Sequence, residues 1–136
     1  HLDAALELYR RDFQPSQWLE KPHVMVAMNV FTADSEADAV LAASSQQQSF
    51  VRLRTGEPGK LPPPIADYLD TLPAQARAML DHVGQAAAVG TPGQVRQTVH
   101  AFIERTQADE IIVAGASYDP DFRVRSLELT INAIAN

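Results

Sequence analysis

The stretch Ala86-Ala-Ala-Val-Gly-Thr91-Pro92-Gly-Gln94 decides the fold class, because a short strand in it leads directly into a helix. Residues 86–90 form an apolar run, and Thr91 can serve as the N-cap that accepts backbone hydrogen bonds. Pro92 fits the first helical position, and Gln94 stands where a capping box needs it. The apolar residues that follow have helical spacing and predict one buried helix face: Val95, Val99, Phe102 and Ile103.

Two further apolar runs predict strands of the same kind. Residues 111–115 are uninterruptedly apolar, and residues 24–31 are apolar except at Asn29, which is typical of parallel strands buried between helices. We therefore expect an α/β fold whose strands at 24–31, 86–90 and 111–115 are parallel neighbours in chain order. The intervening helices should then lie on one side, with the outer edge at Val24 unpaired. The last helix is predicted to bury Val124, Leu127, Ile131 and Ile134.

Composition excludes several classes of protein. The net charge of −6 disfavours nucleic acid and anionic membrane surfaces as partners. The chain has no cysteine, so disulfides and thiolate chemistry are excluded, and a reducing cytoplasm is the expected location. Its four histidines show no spacing typical of metal ligands, so we expect no metal site. No apolar run is as long as a membrane span.

Several segments carry a family resemblance through their order and spacing. In chain order they are residues 6–10, 13–16, 22–30, 59–64 (Gly-Lys-Leu-Pro-Pro-Pro), 89–92 (Val-Gly-Thr-Pro), 108–111 (Ala-Asp-Glu-Ile) and 118–129. Together they resemble the C-terminal part of the bacterial luciferase-like flavin-dependent monooxygenases. The resemblance implies a (β/α)8 barrel of the TIM type. It also implies an oxidoreductase that uses reduced FMN, or a deazaflavin in some branches, with O2 and a small-molecule organic substrate.

Length limits this interpretation, because a complete barrel needs about 250 residues and the chain has 136. Residues 1–136 would be the C-terminal part of one such barrel domain, with an irregular insertion at about 52–72. We then expect this stretch to be inactive alone, and to form a homo-oligomer or pair with its missing N-terminal half. The alternative is an independent small domain.

The insertion has two possible roles. It leaves the end of a helix rather than a strand, which in a barrel places it away from the catalytic face. It would then be a rigid surface excursion fixed by its prolines. In the family resembled here, the variable insertion can instead fold over the flavin as a lid.

No residue is singled out as catalytic, and the candidates for cofactor contacts lie at or after the ends of the predicted strands. They are Asn29, Gly90, Thr91, Gly115 and Ser117. An amide such as Asn29 needs partners inside an apolar strand, and a flavin edge, a neighbouring strand or water would each serve. Gly90 and Thr91 begin a helix, where backbone N–H groups can bind anions. The Asp109-Glu110 pair begins a strand, so salt bridging or capping is the better interpretation.

Three functions stay open at this point. The resemblance favours a flavin-dependent monooxygenase. A non-catalytic flavin-binding or assembly protein with a shortened barrel, and a deazaflavin-dependent hydride-transfer enzyme on the same fold, are the alternatives.

Overall fold

The computed structural model describes residues 1–135, which form five α-helices around one small sheet. The helices are α1 (Leu2–Asp12), α2 (Glu36–Thr55), α3 (Ala74–Gly84), α4 (Pro92–Thr106) and α5 (Pro120–Ala135). The strands are β1 (Met25–Thr32), β2 (Ala87–Gly90) and β3 (Glu110–Ala114), and a short 3-10 helix spans Tyr68–Thr71. The α/β class is therefore confirmed.

All described strand pairs are parallel, as predicted, but the strand order is β2-β1-β3. The predicted chain order was wrong. Short β2 pairs with the second half of β1, where Asn29 lies opposite Ala87, while β3 pairs with the first half. Val24 is not at an open edge either. Its N–H donates to Asp109 Oδ2 over 2.7 Å, and its carbonyl accepts from the backbone of Asp109 and Glu110.

Helices cover both faces of the sheet, so the prediction of one covered side was also wrong. On one face, Val26, Met28 and Val30 of β1 pack in one core with α4. On the other face, Asn29 and Phe31 lie against α2 and α3 around a small cavity. The reason is handedness. The connection from β1 to β2 runs towards one edge of the sheet, and the connection from β2 to β3 runs back past β1 to the other edge. Right-handed crossovers in opposite directions place their helices on opposite faces of the sheet.

The predicted buried face of α4 is confirmed. Val95, Val99 and Phe102 are almost completely buried, and Gln94 closes a capping box with Thr91. Helix α1 adds Leu6 to the same core, and its Arg10 side chain donates to the Thr106 carbonyl at the end of α4 over 2.6 Å. Local pattern and tertiary packing agree here.

One half of the other sheet face is bare. Met25 is 51% exposed, Ile112 is 50% exposed, and Ala27 between them is also exposed. The apolar run of β3 thus packs on one side only, through Ile111 and Val113. The expectation of a fully buried third strand was wrong for the described residues, because α2 and α3 cover only the β2 end of this face.

Helix α5 docks mainly by a different face from the one predicted, although Ile134 of the predicted face packs against the core. Val124 and Ile131 are 57% and 64% exposed, whereas Ser126 and Thr130 are buried. The buried hydroxyls bind the end of β1. Thr32 N–H donates to Ser126 Oγ over 2.8 Å, and the Thr32 and Thr130 hydroxyls lie 2.6 Å apart.

The sequence predicts a helix capped by Asp34 or Ser35, and helix α2 begins with Ser35 as its N-cap. It ends at Gly56 in a left-handed conformation. The helical spacing predicts an inward face of Val40, Leu41, Ser44, Gln48 and Val51. Ser44 and Gln48 are buried as predicted, whereas Val40 and Leu41 are partly exposed, because the buried face consists mainly of small and polar residues. The irregular segment therefore begins only after Thr55, later than the predicted start near residue 52.

At the amino end of the strands, the acidic pair makes the structural contacts that the sequence indicates. Glu110 Oε1 lies 2.7 Å from His23 Nε2, and Asp109 Oδ2 accepts from the Val24 backbone. The pair thus fixes the start of β1 to the start of β3.

We expect Asp109→Ala to lower the free energy of unfolding by about 1 kcal/mol, because the backbone N–H of buried Val24 loses its acceptor. Chemical denaturation of the full-length protein measures this loss. Asp109→Asn is the control, since an amide oxygen can still accept the bond. Equal losses in the two variants would contradict this role.

Candidate functional site

A cleft of about 320 Å3 opens where β1 and β3 end, between α2 and α5. This is the edge at which parallel α/β sheets bind their ligands. The lining residues come from four parts of the chain: Thr32, Ala33 and Asp34 at the end of β1 and directly after it; Asp38, Leu41, Ala42 and Ser45 of α2; Pro64 of the irregular segment; and Ser117, Tyr118, Asp119, Phe122, Arg125 and Leu129 around the start of α5.

The loop after β3 is held tightly in place. A Cβ on Gly115 would lie 2.6 Å from the carbonyl oxygen of Val30, so only glycine lets the two backbones approach this closely. The next residue, Ala116, donates its N–H to Gln46 Oε1 of α2 over 2.8 Å. These two contacts position Ser117, which is 8% exposed and lines the cleft.

Two kinds of buried hydroxyl lie in the lining. Thr32 is bonded to Thr130, and this pair anchors α5. Ser45 is fully buried, and its Oγ has no hydrogen-bond partner in the part of the chain that the structure describes.

The mouth of the cleft is acidic. Asp34, Asp38 and Asp119 are exposed there, and Arg125 Nη2 lies 3.6 Å from Asp34 Oδ1. Asp119 also accepts from the Asp121 backbone at the start of α5. Three carboxylates against one guanidinium leave the mouth with negative charge.

The irregular segment returns along α2 to reach the cleft. Gln48 Nε2 donates to the Pro63 carbonyl over 2.8 Å, and Ile65 N–H donates to Ser44 Oγ over 2.8 Å. These bonds bring Pro64 to the cleft wall. The part of the segment around Pro64 therefore reaches the carboxyl ends of the strands, which the expected position away from the catalytic face did not include. Its function as a lid stays a prediction.

Two of the five predicted site residues lie in or next to the cleft, and the other three lie elsewhere. Ser117 lies in the cleft and Gly115 directly precedes its loop. Asn29 instead lines a smaller cavity of about 60 Å3 on the α2–α3 side of the sheet. Its role as a cofactor contact stays a prediction, without support from this cleft.

Gly90 and Thr91 also lie outside the cleft, at the start of α4. The Thr91 N–H donates to Gln94 Oε1 over 2.8 Å, and Gln94 Nε2 donates to Glu36 Oε2 over 3.0 Å. A carboxylate and an engaged N–H disfavour an anion there. Gly90 has φ of 149°, and a Cβ on it would collide with the Gln94 side chain, so the capping explains this glycine.

Sequence reasoning missed Ser45, Arg125 and Phe122 as cleft residues. A serine within a helix carries no pattern that marks it as a ligand contact. The sequence spacing predicts a surface network of Arg123 and Arg125 with Glu128, whereas the described ion pair of Arg125 is with Asp34.

Residues 1–135 contain neither a metal-ligand cluster nor a membrane-spanning helix. No group of three or more His, Cys, Asp or Glu residues there could hold a metal ion. None of the described helices has both the length and the hydropathy needed to cross a membrane.

Comparison with known proteins finds close relatives. The chain is 40% identical over 128 residues to a protein of Escherichia coli (strain K12) named luciferase-like monooxygenase. The aligned region covers 94% of this chain and 38% of that protein. It is 35% identical over 132 residues to the uncharacterized protein YvbT of Bacillus subtilis (strain 168), covering 97% of this chain and 39% of that protein. These relatives confirm the resemblance to the luciferase-like family. The chain spans less than half of their length.

A solved structure has the same fold. The crystal structure of apo-MsnO8 superposes with a TM-score of 0.74 at 21% identity, over 98% of this chain and 41% of that one. No protein-family profile matches the chain.

Proposed function

Because the chain is similar over 94% of its length to proteins named luciferase-like monooxygenase, we propose that it is part of a flavin-dependent monooxygenase. Such an enzyme would use reduced FMN and O2 to oxidise an organic substrate. The strand-end cleft would be this chain's contribution to the substrate side of the active site.

The bare sheet face supports the proposal that this chain is part of a larger folded unit. Met25 and Ile112 are half exposed on a flat apolar surface, and the outer edge of β3 pairs with no strand among the described residues. Exposed apolar faces and open edges are normally covered in native proteins. Further parts of a longer protein would cover both, and the relatives are long enough to supply them.

The residues of the cleft fit an apolar ring system or substrate better than they fit the phosphate of a flavin. Leu41, Phe122 and Leu129 offer an apolar surface to a ring system or an organic substrate. The acidic mouth does not fit a phosphate, so residues outside this chain would hold the phosphate of FMN. Bound reduced flavin would supply the electrons that activate O2. This chain would orient the substrate and exclude water.

Fluorescence titration with FMN tests the proposal. We expect the full-length protein that carries this sequence to quench FMN fluorescence on binding, and residues 1–136 alone to leave it nearly unchanged. Tight binding by the isolated stretch would contradict the division proposed here. Binding without substrate-dependent O2 consumption, across a panel of organic substrates, would favour the non-catalytic flavin-binding alternative.

A further inference from the structure

A short strap, residues 61–65, separates two cavities beside α2. Pro64 lines the strand-end cleft together with Leu41 of α2. The next residue, Ile65, lines a different cavity of about 160 Å3 together with Val40 of α2. The strap is thus one wall of the cleft, and the shape of the cleft depends on whether this wall moves.

Buried polar side chains of α2 hold the strap at two points. Gln48 Nε2 donates to the Pro63 carbonyl, and the Ile65 N–H donates to Ser44 Oγ, each over 2.8 Å. Gln48 is 4% exposed and Ser44 is 2% exposed. Ser44 Oγ also donates to the Leu41 carbonyl over 2.6 Å. The strap is therefore tied to the helix by side chains that have little freedom of their own.

The sequence of the strap resists the motion of a lid. Hinge residues absorb changes in φ and ψ, whereas proline fixes φ and restricts the residue before it. Pro62, Pro63 and Pro64 follow one another, so four successive residues from Leu61 onward are restricted. The first glycine after them in the chain is Gly84. A hinge inside the strap is disfavoured, so opening requires both bonds to α2 to break together.

We propose that the strap is a fixed wall of the strand-end cleft, locked by Ser44 and Gln48, and that it does not open and close as a lid. The lock keeps Pro64 in the cleft lining and keeps the two cavities separate. This inference deepens the proposed function, because it names residues that bound the ligand site. It rests on that function for the ligand alone, since the lock is formed without one.

Hydrogen exchange in the full-length protein can report the lock at a single amide. Prolines carry no N–H, so Ile65 has the one backbone donor among residues 62–65. Ile65 is 44% exposed, so burial alone does not protect its amide. We expect this amide to exchange about 100-fold more slowly than in an unstructured peptide, the effect of two hydrogen bonds that open together. Exchange within about threefold of the peptide rate would overturn the proposal.

Substitutions in α2 test whether the two bonds act as one lock. Ser44→Ala removes the acceptor of the Ile65 amide and should speed its exchange about tenfold, whereas Ser44→Thr keeps the hydroxyl and should restore slow exchange. Gln48→Met keeps the size of the side chain but removes the donor to Pro63, and should also speed exchange at Ile65 about tenfold. Ser49→Ala, which removes a hydroxyl elsewhere on the same helix, is the control and should leave the rate unchanged.

The Val99 amide in α4 is the internal reference for global stability. Equal acceleration at Val99 and Ile65 would show that a variant is globally destabilised, and would overturn the lock. Equal rates at Ile65 in Gln48→Met and the parent would also overturn it, because the bonds would then act separately. Fast exchange in Ser44→Thr would do the same, since the effect of Ser44→Ala would come from packing.

Added FMN distinguishes this proposal from the proposed function. If the wall is fixed, FMN binding should leave the exchange rate of the Ile65 amide within about twofold of the rate without ligand. A lid that closes over the flavin would slow this exchange about tenfold or more, and that result would overturn the proposal. If FMN does not bind, the flavin proposal fails, while the rates without ligand still confirm or overturn the wall.

Discussion

Gly115→Ala is expected to lower the free energy of unfolding by about 3 kcal/mol, a large loss for so small a change. The added Cβ would lie 2.6 Å from the carbonyl oxygen of Val30, a backbone atom of the central strand. It cannot swing away as a flexible side chain could, so either β1 or the loop after β3 has to shift. Urea denaturation of the full-length protein, compared with the parent, measures the loss.

Gly59→Ala is the matched control for this variant. A Cβ at Gly59 meets no atom within 4 Å, so the same chemical change should leave the stability nearly unaltered. If the two variants unfold at the same urea concentration, the close approach of Gly115 to Val30 does not contribute to stability.

The effect of Gly115→Ala should also reach the cleft. Gly115 is followed by Ala116, which is bonded to Gln46, and then by Ser117 in the cleft wall. A displaced loop would therefore move Ser117 relative to Ser45. We infer that the glycine after β3 connects the sheet to the site, and that this requirement exceeds that of an ordinary turn.

Local features of the sequence predicted the local structure well. The residues from Thr91 to Phe102 contain a cap, a favourable proline and one apolar stripe, all of which act within a few residues of each other. The Ser35 cap and the acidic pair at 109–110 belong to the same category. Such signals do not depend on which element packs against which.

The tertiary arrangement was harder to predict, because apolar strands do not specify their neighbours. The apolar run at residues 24–31 predicts a strand, but nothing in it indicates that β2 and β3 flank this strand on opposite sides. Helix α5 shows the same limit. The helix does carry an apolar stripe through Val124 and Ile131, yet the face that packs against the end of β1 carries Ser126 and Thr130. A hydrophobic pattern assigns polar residues to the surface, even where they form a buried contact.

The candidate site was predicted only in part for a similar reason. Ser117 follows a strand, and strand ends in parallel sheets meet at one edge, so its position could be expected. Ser45 becomes a site residue only when α2 and α5 are placed beside β1. Asn29 looked polar enough for a ligand, but side chains alternate along a strand, and its face is opposite to that of Thr32, which lines the cleft.

Ser126→Ala is expected to lower the free energy of unfolding by about 2 kcal/mol, because it leaves a buried backbone donor without its acceptor. The pairing of β3 with β1 ends where Ala114 lies opposite Asn29, so β3 offers no carbonyl to the N–H of Thr32. Ser126 Oγ takes that position, 2.8 Å away. Thr32 is completely buried, so water cannot replace the lost bond without a rearrangement.

Ser49→Ala is the matched control for Ser126→Ala, because it also replaces a serine by alanine inside a long helix. Both variants gain the same helix propensity, roughly 0.5 kcal/mol, so the difference between them reports the hydroxyl of Ser126 alone. We expect Ser49→Ala to be neutral or slightly stabilising in urea denaturation, and Ser126→Ala to unfold at a clearly lower urea concentration. Coincident unfolding curves would mean that the Thr32 N–H finds another acceptor. The hydroxyl contacts of α5 would then determine where the helix docks without adding to stability.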